Sequence, residues 1–284
     1  MKSVALSAGP MEYEDTGGPG PVLVLLGGLG MQGSLWRHVV AELSPDYRCI
    51  VPTLPMGGHR APMNEDADLS PRGIARLENE LLEVLDLEDV TLVGNDSGAF
   101  LFAAANAPER IARLVITPCE AFENFPPGLP GRNLSLAAKV PGGVTVLAQT
   151  LRLPAMRQLP MSYGWMSKRP VPREVMDRWV APLLEQPGVR RDLVKYLRSA
   201  KEGDMMAAAE GLRSFQRTTL VVWATEDRVM RPEHGRRFAD LLPDARLVEV
   251  DDSFTLMPQD QPGLLARTIR EFVVATTTPS ESSA

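Results

Sequence analysis

The sequence predicts an α/β protein in which a mostly parallel central sheet is flanked by helices. Two observations predict this class. Short apolar, β-branched runs alternate with helical patterns over most of the chain, and such alternation is typical of crossover units and a parallel sheet. The alternation also stops between about residues 119 and 213, where proline, methionine and tryptophan become frequent. We interpret that region as one inserted helical segment.

Several runs have the composition of strands. Val22–Leu26 reads VLVLL, and an unbroken apolar run of this length is typical of a strand buried on both faces. The remaining predicted strands are Val4–Leu6, Met11–Asp15, Tyr47–Val51, Val90–Gly94, Ile111–Thr117, Thr219–Ala224 and Arg246–Val250.

Helical patterns follow most of these runs, namely over 35–43, 70–85, 97–107, 232–242 and 262–274. The start of the second is the clearest, because Ser70 can cap a helix and Pro71 is tolerated at its first position. We therefore expect residues 1–120 and 214–275 to form the core and 121–213 to form a helical cap. The polar residues 276–284 are predicted to be a disordered tail.

Composition excludes several classes of function. The chain has 284 residues, a formal net charge of −6 and a pI of about 5.3, which argues against nucleic acid as a partner. No apolar run approaches the roughly 18 residues of a membrane span, and the first residues do not resemble a signal peptide. Two cysteines, Cys49 and Cys119, suit neither a disulfide framework nor a zinc site. We expect a cytoplasmic protein without metal, cofactor or membrane partner; a homodimer is left open.

The most informative segment is VTLVGNDSGAF, residues 90–100. Gly94 and Gly98 lie two residues before and after Asp96, so the pattern predicts a sharp strand–turn–helix junction with Asp96 at its centre. Ser97 fails the same spacing test. The alternative is an ordinary junction in which Asp96 only caps the following helix.

With this turn in view, the chain resembles the α/β-hydrolase superfamily, in the aspartate-nucleophile branch of haloalkane dehalogenases and epoxide hydrolases. The segments that carry the resemblance are VLVLLGGLG, GNDSG, WATEDRVMRPEHG and DQP. It implies an α/β-hydrolase fold with Asp96 as the nucleophile. It further implies that the backbone N–H groups of Leu29 and Ser97 form an oxyanion hole. Asp227 matches the acid that orients a catalytic histidine, and Glu120 occupies an alternative position for that acid.

The resemblance also implies a histidine in the loop 251–262, and none is present. Counting back from Pro258 and Pro262, Thr255 occupies that position. Threonine has no accessible basic form near neutral pH. The three histidines of the chain, His38, His59 and His234, are interpreted as packing, surface or loop residues.

The resemblance indicates a substrate site contacted by Trp36, Tyr163 and Tyr196. Leu29 and Ser97 stand where haloalkane dehalogenases usually carry Asn and Trp, which disfavours dehalogenation. We therefore expect an enzyme that acts on a small or medium apolar substrate by ester-type or epoxide-type hydrolysis, or by proton transfer to Asp96. The alternative is a protein of the same fold that binds a small apolar ligand and has lost turnover.

Overall fold

Eight strands form one sheet in the computed structural model, which describes residues 1–277. The central strands are buried on both faces, and every residue of Val90–Asp96 and Thr219–Ala224 is buried. The strands are β1 Lys2–Leu6, β2 Gly9–Asp15, β3 Val22–Leu26, β4 Arg48–Pro52, β5 Val90–Asp96, β6 Ile111–Cys119, β7 Thr219–Ala224 and β8 Ala245–Val250.

The spatial order of the strands is β1-β2-β4-β3-β5-β6-β7-β8. The pairs β1–β2 and β2–β4 are antiparallel, whereas all pairs from β4 to β8 are parallel. The parallel strands therefore bring their carboxyl ends to one edge of the sheet, where ligand sites of open α/β sheets are found. The predicted fold class is confirmed.

Helices follow the strands as the alternating pattern predicts. Ser70 caps the longest early helix, and its Oγ accepts a hydrogen bond from the Gly73 N–H at 3.1 Å. The helices outside the inserted region are α1 Arg37–Leu43, α2 Pro71–Val84, α3 Ala99–Asn106, α10 Pro232–Leu241, α11 Met257–Asp260 and α12 Pro262–Thr277.

Among the predicted boundaries that differ from the observed ones, two have a clear structural cause. Helix α3 begins at Ala99 and not at Ser97, because β5 continues to Asp96 and the turn itself takes up the next two residues. The predicted tail begins too early, since Thr276 and Thr277 are the last helical residues of α12 and accept hydrogen bonds from the Arg113 guanidinium. Residues 278–284 lie outside the described part of the chain.

The residues between β6 and β7, which we call the helical segment (120–218), carry the other helices. These are α4 Gly128–Lys139, α5 Gly143–Thr150, α6 Pro154–Arg157, α7 Arg173–Glu185, α8 Pro187–Ser199 and α9 Asp204–Gly211. A small apolar cluster of their own holds α4, α5, α7 and α8 together, built from Ala138, Val144, Ala148, Leu183, Val189 and Leu193. No helix within residues 1–277 is long and apolar enough to cross a bilayer.

A buried histidine–aspartate pair joins the helical segment to the sheet domain. His59 Nε2 lies 3.1 Å from Oδ2 of Asp192, which is fully buried on α8. The Gly57 N–H donates to His59 Nδ1 at 3.3 Å, so the ring hydrogen is on Nε2 and points at the carboxylate. The Met63 N–H donates to the same Asp192 oxygen. These bonds fix the loop after β4 to α8.

Candidate active site

Asp96 ends β5 in a left-handed backbone conformation with φ of +71°. Non-glycine residues adopt this region rarely, and the cost is accepted mainly at functional sites. The flanking glycines are required by space. An added Cβ at Gly94 would overlap the Phe100 ring, and one at Gly98 would overlap Met205 Sδ. The local fold therefore presents Asp96 on a tight turn that larger neighbours would prevent.

The Asp96 carboxyl group is buried, with only 5% of the residue exposed. Its Oδ2 accepts a hydrogen bond from the Leu29 N–H at 3.0 Å, across from the loop that follows β3. Gly28 makes this approach possible, since an added Cβ there would occupy the position of Oδ2. Burial raises the pKa of Asp96 to about 6, and the Leu29 bond opposes that rise. Asp96 is therefore mostly ionised at neutral pH.

Of the two backbone donors implied by the family resemblance, only one points at Asp96. The Leu29 N–H does so, whereas the Ser97 N–H donates to the Asn95 carbonyl at 3.0 Å. The Ser97 hydroxyl lies 3.3 Å from the Tyr196 hydroxyl and accepts from the Ala99 N–H. In this conformation Ser97 contributes its side chain, and not its amide, to the polar network.

Glu120 follows β6 directly, and its N–H donates to the Asp96 carbonyl at 2.9 Å. Its Oε2 accepts from the Tyr196 hydroxyl at 3.1 Å and from the Gly98 N–H at 3.3 Å. Burial and the charge on Asp96 raise the pKa of Glu120 to about 8. Because both donors bind Oε2, the proton of the neutral acid belongs on Oε1.

Thr255 and Asp227 form a second buried pair. The Thr255 hydroxyl shares its one hydrogen between the two Asp227 oxygens, which lie 2.9 and 3.0 Å away. The backbone N–H groups of Val229 and Met230 donate to Oδ1 of the same carboxyl. Burial nevertheless raises the pKa of Asp227 to about 7. Thr255 thus supplies a donor to this acid but brings no base.

Asp96 and Glu120 line a cavity of about 110 Å³ between the sheet edge and the helical segment. Tyr163 is the aromatic residue of its wall, and its hydroxyl donates to the Gly30 carbonyl at 3.3 Å. Most other lining residues are apolar, including Leu29, Met31, Leu134, Leu147, Leu151, Met161, Met166, Leu183, Leu193 and Val229.

Two residues expected at the substrate site lie elsewhere. Trp36 is fully buried in the main core and does not line the cavity. Tyr196 does not line the cavity either, and its hydroxyl contacts Glu120 and Ser97. Trp36 ends a short 3-10 turn, Gly33–Trp36, in which Gly33, Leu35 and Trp36 are buried.

Among the residues that the structure describes, no histidine lines the cavity. His59 is bound to Asp192, and His38 is exposed on α1. His234 lies on α10 with its ring centroid 5.9 Å from that of Phe122. Within residues 1–277, no group of three or more histidine, cysteine or carboxylate side chains is arranged to hold a metal ion.

Sequence reasoning missed two residues that shape the site. The Asn95 amide donates to Thr117 Oγ1, to the Pro118 carbonyl and to the Thr255 carbonyl, at 2.9, 3.1 and 2.8 Å. It therefore ties β5, β6 and the 251–262 loop together beside Asp96. Gly28 is the other, and its signal was available: the glycine pair directly after β3 marks a close backbone approach.

Comparison with known proteins agrees with this architecture. The model of the alpha/beta hydrolase family matches residues 23–268, so the chain belongs to that family. A haloalkane dehalogenase of Mesorhizobium japonicum is 25% identical over 277 residues, 93% of this chain and 87% of that protein. A cis-3-alkyl-4-alkyloxetan-2-one decarboxylase of Xanthomonas campestris is 28% identical over 292 residues, covering 93% and 92%. The crystal structure of a haloalkane dehalogenase from Bradyrhizobium elkani superposes with a TM-score of 0.77 at 18% identity, covering 96% of this chain and 97% of that one, which shows the shared fold.

The Thr255–Asp227 pair generates a stability prediction. Asp227 binds more protons in the folded chain than in the unfolded one, because its pKa is raised to about 7 from 3.8. Folded-state stability therefore falls as pH rises through that interval. Thr255→Val removes the hydroxyl donor and should raise the pKa further, so we expect a loss of about 1–3 kcal/mol that is larger at pH 8 than at pH 5.

Urea denaturation of the two variants Thr255→Val and Thr255→Ser at both pH values measures this effect. Serine keeps the hydroxyl and serves as the matched control. Equal losses for the valine and serine variants, or a loss that does not depend on pH, would contradict the prediction.

Proposed function

We propose that this protein is an enzyme that acts on a small or medium apolar, electrophilic substrate, with Asp96 as its nucleophile. One observation carries the proposal: a buried carboxylate lines an apolar cavity with one oxygen held by a backbone N–H. The Leu29 bond engages Oδ2 and leaves Oδ1 to react. The helical segment closes the cavity and acts as its cap. Membership of the alpha/beta hydrolase family also supports the proposal that the protein is an enzyme.

In the first step Asp96 Oδ1 attacks an electrophilic carbon and forms an ester, while the bond from that carbon to its leaving group breaks. The ester carbonyl oxygen is then Oδ2, which the Leu29 N–H already binds. The same donor would stabilise the oxyanion that develops on Oδ2 when the ester is opened. The weakness of one donor in place of two predicts a slower reaction than a full oxyanion hole would give.

Glu120 supplies the proton chemistry in this proposal. As a neutral acid it donates its Oε1 proton to a leaving oxygen and becomes a carboxylate. That carboxylate then takes a proton from water as the water oxygen attacks Cγ of the Asp96 ester, and Glu120 returns to its acid form. The bond from Cγ to the alkyl oxygen breaks, the Asp96 acid so formed gives its proton to the departing alkoxide, and Asp96 is a carboxylate again. One carboxyl group that acts first as acid and then as base needs no histidine. Tyr196 holds Oε2 and so positions Glu120.

The Xanthomonas relative favours a second candidate reaction. Loss of carbon dioxide from an oxetan-2-one gives an alkene and consumes no water, so it requires no water-activating base. A cis-dialkyl oxetan-2-one is also small, apolar and electrophilic. Gas chromatography of the products of such a ring distinguishes the two candidates: an alkene indicates decarboxylation, and a hydroxy acid indicates hydrolysis.

An ester trap tests the nucleophile. An alkyl bromide needs no proton donor for its leaving group, so it should alkylate Asp96 in the Glu120→Gln variant, where no base opens the ester. Intact-protein mass spectrometry should show one alkyl group replacing one hydrogen. Peptide mapping should place it on Asp96.

The matched control is the double variant Asp96→Asn with Glu120→Gln, which should remain unmodified. Persistence of the adduct in the double variant, or its location on another residue, would refute Asp96 as the nucleophile. A wild-type protein that stays unmodified with the bromide yet releases alcohol supports turnover through the ester.

The pKa values of the two carboxyl groups predict a bell-shaped pH dependence of kcat/KM. Activity should rise as Asp96 ionises near pH 6 and fall as Glu120 loses its proton near pH 8. The two limbs belong to a coupled pair and are read as apparent values. Glu120→Gln should lower the rate with an epoxide by about 10²–10⁴-fold and remove the alkaline limb.

Initial rates across this pH range, measured for the wild type and for Tyr196→Phe, complete the test. Tyr196→Phe removes one donor from Glu120 Oε2 and should shift the alkaline limb while leaving the acid limb in place. A profile without an acid limb near pH 6 would show that Asp96 does not carry the reaction.

A further inference from the structure

The charge of the helical segment differs from that of the rest of the chain. Aspartate and glutamate make up 36 of the 284 residues, yet none occurs between positions 124 and 173, where seven lysines and arginines are found. This basic stretch lies in a protein of net charge −6. It includes helices α4, α5 and α6 and the residues that lead into α7.

Several cations of this region have no carboxylate partner. Arg132, Lys139 and Arg152 are exposed, and none forms an ion pair with another residue in the described range 1–277. The other four cations of the stretch, Arg157, Lys168, Arg169 and Arg173, are paired with acids. The unpaired charges therefore concentrate on α4 and on the residues around α5 and α6.

Helix α8 extends the same charge. Arg190, Lys195 and Arg198 donate to backbone carbonyl groups and form no ion pair within the described chain. They line an open groove together with Val140 and Val144, so they adjoin the end of α4 and the start of α5. Arg198 binds the Ala138 carbonyl of α4 at 2.7 Å.

Large apolar side chains are exposed among these cations. Of the ten exposed large hydrophobic residues of the described chain, six belong to the acid-free stretch: Leu129, Leu136, Val140, Val146, Leu153 and Met161. On α4, Leu129 and Leu136 are two turns apart and share one face. Leu134 lines the cavity from another face of the same helix.

The cavity reaches the surface within this region. Met161 lines the cavity and is also 49% exposed. A substrate that enters beside Met161 would therefore pass the exposed apolar residues of α4 to α6. We call this surface the basic apolar face; it consists of the unpaired cations and exposed hydrophobic residues named above.

We propose that the basic apolar face docks on an anionic lipid surface, with its leucines, valines and Met161 in the acyl boundary and its cations at the headgroups. Apolar side chains ringed by lysine and arginine are the features that bind helices to membrane interfaces. A soluble acidic protein would satisfy the charges, but it would not need apolar side chains spread over several separate helices. Docking in this orientation brings the mouth of the cavity to the phase in which apolar molecules collect. The proposal replaces the expectation from the sequence that the protein has no membrane partner. It concerns docking at a lipid surface and not a membrane span, and it does not depend on the chemistry of Asp96.

Vesicle flotation of the full chain tests the proposal. We expect binding to vesicles of phosphatidylcholine with phosphatidylglycerol, little binding to phosphatidylcholine alone, and a decrease as salt is raised. Lys139→Gln and Arg132→Gln should each lower the partition coefficient about fivefold. Leu136→Asp should lower it roughly tenfold, because an apolar side chain is lost from the acyl boundary.

Matched controls lie on other elements. Val84→Asp replaces an exposed valine of α2, and Arg267→Gln replaces an exposed arginine of α12; neither should change binding. Thermal denaturation of each variant verifies folding, and Leu136 is 64% exposed, so its replacement should leave the melting temperature unchanged. Asp96→Asn should bind vesicles as the wild type does, which separates this proposal from the proposed function.

Three results would overturn the proposal. Equal binding to neutral and anionic vesicles would show that the cations do not contribute to binding. Equal losses of vesicle binding in the face variants and the control variants would show that the basic apolar face is not the docking surface. Absence of vesicle binding together with a dimer that Leu136→Asp dissociates, measured by light scattering, would show that a second copy of the chain covers the face.

Discussion

The hydrogen bond from the Leu29 N–H to Asp96 Oδ2 stabilises the carboxylate form of a buried side chain. Asp96 is buried at the end of β5, and burial alone would favour its neutral form. The bond opposes that effect across two loops, since Leu29 follows β3 and Asp96 ends the neighbouring strand β5. It also requires bare backbone at Gly28. The ionisation of Asp96 thus depends on a hydrogen bond that requires β3 beside β5 and glycine at position 28.

Asp96, Glu120 and Asp227 are buried carboxyl groups whose pKa values are linked. The charge on Asp96 raises the pKa of both Glu120 and Asp227, so the three do not ionise independently. Glu120 has the highest of the three pKa values and holds a proton longest as pH rises. The surroundings therefore give Asp96 a lower pKa than Glu120, although both are carboxyl groups. Acid–base chemistry needs one ionised and one protonated group of this kind.

Much of the fold could be predicted from the sequence, because the strands carry the strongest local signal. Val22–Leu26 is apolar throughout and Thr219–Ala224 is apolar after its first residue, and both form strands of the sheet interior. The end of α12 was placed wrongly because Thr276 and Thr277 have poor helix propensity, and their contacts with Arg113 in β6 are tertiary. Composition does not record such contacts.

The candidate site was harder to predict, for a related reason. The spacing of Gly94 and Gly98 predicts the turn at Asp96, since that signal is local. The direction of the Ser97 amide, the inward packing of Trp36 and the three bonds of Asn95 depend on groups distant in the chain. A spacing pattern indicates which residues are near the turn, but it does not indicate which atoms point into the cavity.

In the proposed function the proton chemistry lies on the Glu120 side of Asp96, because the Thr255 side offers no base. On the Asp227 side, the hydroxyl can donate to the acid but cannot accept a proton near neutral pH. On the opposite side, Glu120 Oε1 accepts no hydrogen bond from any residue of the described range 1–277, and Tyr196 of α8 positions the carboxyl group through Oε2. The same helix presents Leu193 to the cavity and its cations to the surface groove. A change in the position of α8 would therefore alter the placement of the Glu120 proton, so the proposed chemistry and the proposed docking depend on one structural element.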